Sequence, residues 1–276
     1  MHVFVTGATG FIGSAVVHEL LAAGHQVLGL ARSDAGARSL AAAGAAVHRG
    51  SLADLESLQR GAAAADAVIH TAFIHDFTDF AASARVDQRA IEAMTATLAG
   101  SGKPFIVTAG TLGLPPGRPG TEDDKPASSM PRRSEAAGLA AAAQGVRAMV
   151  IRLPPSVHGD GDHGFVPALI QLARERGFAM YVGDGRHRWP AVHRLDAARV
   201  YRLALEQGSA GAVFHAIADE GIPVREIAER LVDAGHYELL GSDCHSMSHV
   251  QAIKNTLTRP HLHKLIASGK LLNTTL

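Results

Sequence analysis

The segment Val3-Phe4-Val5-Thr6-Gly7-Ala8-Thr9-Gly10-Phe11-Ile12-Gly13 constrains the fold of this chain more than any other. An apolar, β-branched run opens into three glycines at three-residue spacing, and an amphipathic segment, Ser14 to Ala23, follows without a break. That order predicts a strand, a tight turn and the start of a helix. Gly7 suits the backbone of the turn, and Gly10 removes the side chain that would hold a pyrophosphate away. Gly13 lets the helix pack closely on the strand. The unpaired N–H groups and positive dipole end of that helix favour a diphosphate. A glycine triplet alone is weak evidence for a ligand. Its setting between strand and helix, at the head of a βαβ pattern, makes dinucleotide binding the expectation.

Thr6-Gly7-Ala8-Thr9-Gly10-Phe11-Ile12-Gly13 resembles the nucleotide fingerprint of the extended short-chain dehydrogenase/reductase superfamily, in its epimerase/dehydratase branch. The resemblance implies an α/β fold, a Rossmann-type doubly wound parallel sheet with a small C-terminal substrate lobe. It also implies a nicotinamide dinucleotide and, in most members, a Tyr-x-x-x-Lys catalytic pair. Carried onto this chain, the fingerprint would place Gly7, Thr9, Gly10, Phe11, Ile12 and Gly13 against the cofactor.

A chain of 276 residues, 47% hydrophobic and 19% charged, suits one such domain with an appended lobe. Lys+Arg and Asp+Glu number 26 each, so no basic excess points to nucleic acid or an anionic membrane. Cys244 is the only cysteine, which rules out an intrachain disulfide and fits a reducing cytoplasm. No signal peptide or membrane span is expected. The expected partner is a small-molecule substrate, and a homodimer is compatible with the sequence.

Beyond the first helix, Gln26-Val27-Leu28-Gly29-Leu30 reads as a strand ending in Ala31-Arg32-Ser33, with Asp34 next. An acidic residue at this strand end would hydrogen-bond the ribose of NAD, whereas an Arg accommodates the 2′-phosphate of NADP. Arg32 and Ser33 therefore make NADP the expected cofactor and NAD the alternative. Further strands are expected at Ala46-Val47-His48, Ala67-Val68-Ile69-His70, Pro104-Phe105-Ile106-Val107-Thr108 and residues 148–153, with helices over 35–43, 52–63, 82–99 and 134–144. Alternation of this kind predicts a parallel sheet with right-handed crossovers. Relatives often carry an acidic adenine contact where Gly50-Ser51-Leu52 stands, and Ser51 and Leu52 take that place here. His70-Thr71-Ala72 resembles the segment beside the cofactor, which brings in Thr71 and Ala72, with Thr108 beyond the next strand. Leu114 to Pro131 is Pro/Gly-rich and long enough to suggest a lid. The expected division is a dinucleotide-binding domain over 1–152, substrate-lobe segments over 153–235 and an atypical tail over 236–276.

The catalytic pair is missing. The family's tyrosine stands on the helix after the fifth strand with a lysine four residues on, which lowers the phenol's pKa for proton exchange. The matching region reads Pro131-Arg132-Arg133-Ser134-Glu135-Ala136, and Tyr181, Tyr201 and Tyr237 lie elsewhere. Glu135 or Arg132 could fill the space, although an Arg does not give up its proton. Thr108 and Thr111 could supply the hydroxyl that orients a carbonyl. The run from Arg152 to Phe165 is similar to the family's Arg-x-x-x-Val-Tyr-Gly segment, with His158 in the tyrosine's place, and so implies cofactor contacts from Pro154 and Val157. The run from Val182 to Asp196 resembles a substrate-lobe segment. Turn chemistry explains Asp160-Gly161 and Asp184-Gly185. His163, Arg188 and His193 suit proton exchange and anion binding, and with Thr111 they form the candidate catalytic set. No metal is expected at Asp160, Asp162 and His163, which lack further ligands.

From His236 the chain changes character. Gly241-Ser242-Asp243-Cys244-His245 resembles the last metal-ligand strand of PHP-type phosphoesterases, a likeness that implies ligation by Asp243 and His245. The remaining ligands of such a site are missing, so the tail reads as a fused or substituted terminus, with a terminal helix over 265–272. The expected function is an NAD(P)-dependent oxidoreductase acting on a small carbonyl or hydroxyl compound without the usual pair. A non-catalytic NADP(H)-binding sensor or partner-binding protein is the contrasting expectation.

Overall fold

The computed structural model describes residues 1–76, 78–176, 178–233 and 238–242. In chain order its elements begin with β1 (His2–Thr6), α1 (Phe11–Ala22), β2 (Gln26–Ala31), α2 (Asp34–Ala42), β3 (Ala46–Arg49), α3 (Leu55–Ala63), β4 (Ala67–His70) and α4 (Phe80–Leu98). They continue with β5 (Pro104–Gly110), α5 (Ser134–Ala140, extended by a 3-10 turn at Ala141–Gln144), β6 (Arg147–Leu153) and β7 (Ser156–His158). After these come α6 (Phe165–Arg176), β8 (Phe178–Val182), β9 (Arg188–His193), α7 (Arg194–Gln207), β10 (Val213–His215), β11 (Asp219–Pro223), α8 (Val224–Asp233) and β12 (Glu238–Ser242).

The described residues divide into two compact units, the first comprising residues 1–161 and 191–218 and the second those within 162–190 and 219–242. The first holds a seven-stranded sheet in the order β10-β6-β5-β4-β1-β2-β3, its pairs parallel. This is the doubly wound α/β sheet expected from the sequence, with β10 as an edge strand that the strand pattern did not anticipate. Strand order reverses between β1 and β4, so the crevice beyond their carboxyl ends is the switch point where such sheets bind ligands.

The period-2 alternation of the strands splits the core into two layers. Val3 and Val5 of β1, Ile69 of β4, Ile106 of β5 and Met149 and Ile151 of β6 pack with α1 and α7, through residues such as Val16, Leu20, Tyr201 and Leu205. Phe4, Val68, Phe105, Val107 and Val150 face the other way, onto Leu58 of α3 and Ile91 and Met94 of α4. Such strands, buried on both faces, explain why the sequence shows continuous apolar runs there instead of alternation. Helix starts follow local caps: Ser33, Asp54 and Asp79 accept from backbone N–H groups of α2, α3 and α4. These caps start α3 at Leu55, after the expected Leu52, and α4 at Phe80, before the expected residue 82. Also in the first unit, β7 pairs in parallel with the end of β9, Ser156 to His158 facing Ala191 to His193.

In the second unit β8 pairs in parallel with β12, and Ala173, Ala179 and Ala228 form a small apolar cluster against Tyr181. Trp189 meets Phe165 edge-on, with ring centroids 5.4 Å apart. The backbone from 238 to 242 is a strand, while Asp243, His245 and the expected terminal helix lie outside the described residues. No helix among the described residues is long and apolar enough to cross a membrane.

Candidate functional site

The turn after β1 is built as tightly as its glycines allow. Gly7 has φ +68°, and a Cβ there would lie 2.7 Å from both the Ala72 nitrogen and the Thr71 hydroxyl. A Cβ on Gly13 would come within 2.1 Å of the Gly7 carbonyl oxygen, which seats α1 directly on the turn. Thr71 anchors the other side, its hydroxyl donating to the Thr6 carbonyl at 2.8 Å. Gly10 is different: the Gly7 carbonyl oxygen, at 3.1 Å, is all that a Cβ there would meet within van der Waals range. Its hydrogen atoms therefore border open space.

That space faces the first turn of α1. Gly10 is the N-cap, no side chain caps the helix, and no acidic residue stands in its first turn. The N–H groups of the first turn have no intrahelical acceptor. By contrast α2, α3, α4 and α7 are each capped by a side chain, of Ser33, Asp54, Asp79 and His193 respectively. An uncapped helix start at the switch point of a parallel sheet is an anion site in waiting. The residues present thus fit a dinucleotide pyrophosphate.

At the end of β2, Arg32 is exposed and forms no hydrogen bond or ion pair among the described residues. Ser33 is committed to capping α2 through the Gly36 N–H. Asp34 is engaged by Arg49, whose Nη2 donates to its Oδ1 at 2.6 Å. Arg49 ends β3, and the register sets it beside Ala31, so the acid near this strand end is already neutralised. The sequence reading missed Arg49 because the pairing of β2 with β3 is invisible in one dimension. Further on, the Ser51 carbonyl accepts from the Asp54 N–H, which leads Leu52 into α3.

Behind the carboxyl ends of β4 and β5 runs a buried polar chain. Thr6 Oγ1 meets His70 Nδ1 at 2.7 Å, and His70 Nε2 meets Asp87 Oδ1 at 3.0 Å. Ser134 donates a short hydrogen bond to Asp87 Oδ2 and accepts from Arg132 Nε at 2.7 Å. Arg132 Nη2 donates to the Thr108 carbonyl at 2.9 Å, and the guanidinium lies 4.1 Å over the ring of Phe73. Thr108 uses its hydroxyl inward, on the His70 carbonyl at 2.8 Å and the Tyr201 hydroxyl at 2.7 Å. Tyr201 is fully buried, and burial pushes its phenol well above the ordinary range, so it holds its proton. It serves packing, and no catalytic tyrosine is recovered from outside the usual helix among the described residues.

Burial alone would raise the Asp87 carboxyl, but the His70 hydrogen bond and the charges of His70 and Arg132 outweigh it and leave it below its ordinary value. A carboxyl whose pKa is lower in the folded state contributes stability that is complete above the unfolded value, near 3.9, and is lost as pH falls through the folded one. Stability is therefore expected to decline with acidification below about pH 4. Asp87→Asn should flatten that acid limb in urea titrations at a series of pH values. An unchanged limb would mean that Asp87 does not govern it.

Glu135, one of the two residues expected to fill the space of the missing pair, is engaged by Arg152 of β6. Arg152 is 1% exposed and donates Nε to Glu135 Oε2 at 2.8 Å and Nη2 to Oε1 at 2.6 Å. It also holds the segment after β5, donating to the carbonyls of Thr121 at 3.2 Å and Asp124 at 2.6 Å, and meets His215 Nε2 at 3.0 Å. Asp124 in turn is gripped by Arg118. The expected lid is thus pinned at 121–124 onto the ends of β6 and β10, because buried Arg152 has more N–H groups than Glu135 accepts and the loop carbonyls take two of the remaining bonds.

The candidate catalytic residues fall in both units. Thr111, half-buried just after β5, donates its N–H to the Leu153 carbonyl at 3.0 Å, and its hydroxyl makes no hydrogen bond among the described residues. His193 Nδ1 accepts from the Leu195 N–H at 3.3 Å as the cap of α7, and its ring meets His158 edge-on. In the second unit, His163 is exposed in the turn before α6. There too Arg188 donates to the Gly221 carbonyl at 2.8 Å. Asp162 and Asp184 close turns, accepting from the N–H groups of Gly164 and Arg186. Pro154 is buried after β6 and Val157 is half-buried in β7.

The model of the NAD dependent epimerase/dehydratase family matches residues 3–217. An uncharacterized protein of Schizosaccharomyces pombe is 50% identical over 231 residues, which cover 83% of this chain and 78% of that protein. A 2-alkyl-3-oxoalkanoate reductase of Stenotrophomonas maltophilia is 29% identical over 253 residues, covering 85% of this chain and 76% of the reductase. Among solved structures, UDP-glucose 4-epimerase from Thermotoga maritima superimposes with a TM-score of 0.73 at 22% identity, covering 90% of this chain and 87% of that one.

Proposed function

The chain belongs to the NAD dependent epimerase/dehydratase family, and on that premise we propose that it is an NADP(H)-dependent oxidoreductase acting on a small carbonyl or hydroxyl compound without a Tyr-x-x-x-Lys pair. The observation that carries this reading is the uncapped start of α1 beside Gly10, an open anion cradle at the switch point of the sheet. Gly7, Thr9, Gly10, Phe11, Ile12 and Gly13 would hold the pyrophosphate. Thr71, Ala72, Thr108, Pro154 and Val157 would border the cofactor, with Ser51 and Leu52 toward the adenine. Arg32 would take the 2′-phosphate, which the engagement of Asp34 by Arg49 leaves unopposed. When bound, the nicotinamide supplies hydride equivalents; the protein binds, orients and shields. The 2-alkyl-3-oxoalkanoate named for the bacterial reductase is a carbonyl compound and supports a carbonyl substrate. Thr111, His163, Arg188 and His193 remain the proposed catalytic set, open to single substitutions.

The test is consumption of NADPH by the purified chain in the presence of a panel of small ketones and aldehydes. Carbonyl-dependent oxidation is expected, with NADPH preferred to NADH. Arg32→Ala should weaken NADPH roughly 10-fold, the value of one charge-assisted hydrogen-bonded pair, and leave NADH nearly unchanged. Equal use of both nucleotides by the unmodified chain would contradict the NADP assignment. Nucleotide binding with no turnover on any carbonyl would favour the sensor reading, for which the absence of a Tyr-x-x-x-Lys pair speaks.

A further inference from the structure

Arg132 stands out as a cation whose place is fixed and which no carboxylate meets directly: Ser134 stands between it and Asp87. Three contacts from separate segments hold its guanidinium: Ser134 Oγ, the Thr108 carbonyl and the face of Phe73. The carboxylates nearby make their direct contacts with other groups, Asp87 with His70 and Ser134, and Glu135 with Arg152, although Asp87 still attracts Arg132 at a distance. Nη1 makes no hydrogen bond among the described residues. The side chain lines a cleft of about 330 Å³ formed by α5 and the loop before it, which Lys125 and Arg133 also line. Glu135 is the one acid of that lining, and its charge is balanced by Arg152. The cleft is therefore cationic. Arg132 meets β5 at Thr108, near its carboxyl end, and only β4 lies between β5 and β1, whose carboxyl end leads to the Gly10 cradle.

A guanidinium in this setting cannot replace a tyrosine as a proton donor, since it stays charged at working pH. What it does well is bind an oxyanion through charge-assisted hydrogen bonds in a defined orientation. Burial makes holding an unmatched charge unfavourable, and an anionic ligand relieves that cost. We propose that Arg132 is a substrate-binding residue, and that the substrate is an oxo acid or hydroxy acid whose carboxylate it receives. This rests on reading the chain as an oxidoreductase of small carbonyl compounds and narrows that class to anionic members. The cleft volume, at the low end of ligand pockets, suits a small acid.

The test uses the full chain and the probes pyruvate, acetoacetate and levulinate, which place the carboxylate at increasing distance from the carbonyl, each beside its methyl ester. Binding without nucleotide is followed by ligand-observed NMR, and reduction with NADPH gives KM and kcat. At least one acid is expected to bind and to be preferred over its ester by roughly 10- to 100-fold, the value of one charge-assisted pair. Arg132→Gln should abolish that preference through KM, Arg132→Lys should recover part of it, and exposed Arg89→Gln should leave it unchanged. Arg132→Gln should unfold at a somewhat lower temperature, since Asp87 loses a favourable charge, but cooperatively and with the NADPH affinity of the unmodified chain, which separates loss of the site from loss of the fold. Esters bound as tightly as acids, or acid binding that survives Arg132→Gln, would overturn the proposal. So would stronger Arg132-dependent binding of inorganic phosphate than of any acid. Arg132-dependent acid binding in a chain that fails to bind NADPH would sink the oxidoreductase reading and leave the anion site standing.

Discussion

Gly13→Ala is expected to destabilise the chain by about 3 kcal/mol or more, the upper range for a methyl group forced into packed surroundings. The new Cβ would sit 2.1 Å from the Gly7 carbonyl oxygen, 2.7 Å from the Gly7 carbonyl carbon and 2.8 Å from the Thr71 hydroxyl. Two of those three atoms are backbone, and the third is tied to the Thr6 carbonyl, so none can rotate away. Relief requires α1 to lift from β1, which loosens Val16, Val17 and Leu20 from the layer they share with Tyr201 and Leu205. Gly10→Ala is the informative partner. Gly10 has φ −78° and ψ 173°, an extended conformation that alanine accepts, and its Cβ would meet the Gly7 carbonyl oxygen at only 3.1 Å. Its stability should change by less than about 1 kcal/mol, while the methyl group enters the space where a pyrophosphate would approach the backbone. Urea unfolding and nucleotide titration of the two variants should therefore separate, Gly13→Ala failing in stability and Gly10→Ala in binding. Equal unfolding midpoints would contradict the close packing described for α1.

Arg152→Met should be nearly as damaging, for an electrostatic reason. Removing the guanidinium leaves the partly buried Glu135 carboxylate without its bidentate partner and releases the carbonyls of Thr121 and Asp124. Breaking one side of a buried pair costs about 3–5 kcal/mol, because the remaining charge is uncompensated. The loop from Thr111 to Arg133 loses its anchor at the same time, and trypsin should reach Arg118 and Lys125 more readily. The double variant Arg152→Met with Glu135→Leu should be more stable than Arg152→Met alone, since it removes the stranded charge. If the double variant is the less stable of the two, the pair contributes little and the loop contacts dominate.

How much of this was readable in advance follows the range of each interaction. The glycine turn, the alternation of strands and helices, and the absence of the Tyr/Lys pair are local patterns, and each was legible in the sequence. The helix starts expected at residues 52 and 82 differ from those of α3 and α4, because Asp54 and Asp79 set them by capping. The role of Arg152 is not legible in its family-like segment, because its partners Glu135, Thr121 with Asp124, and His215 arrive from three separate stretches. The loop over 114–131 announced itself by length and composition, but neither property says that a buried arginine will pin it. The sequence places Arg132 near the position of the missing tyrosine, whose proton exchange a guanidinium does not perform. Its contacts with Ser134, Thr108 and Phe73 depend on β4, β5 and α5 meeting at one edge, which only the folded chain displays.

The central claim is that the open, uncapped start of α1 receives a dinucleotide, with Arg32 selecting its 2′-phosphate. Calorimetric titration of the purified full chain with NADPH and with NADH tests it most directly. The account predicts saturable binding of both, tighter for NADPH, with the preference lost in Arg32→Ala. Failure of either nucleotide to bind a chain that unfolds cooperatively would contradict it.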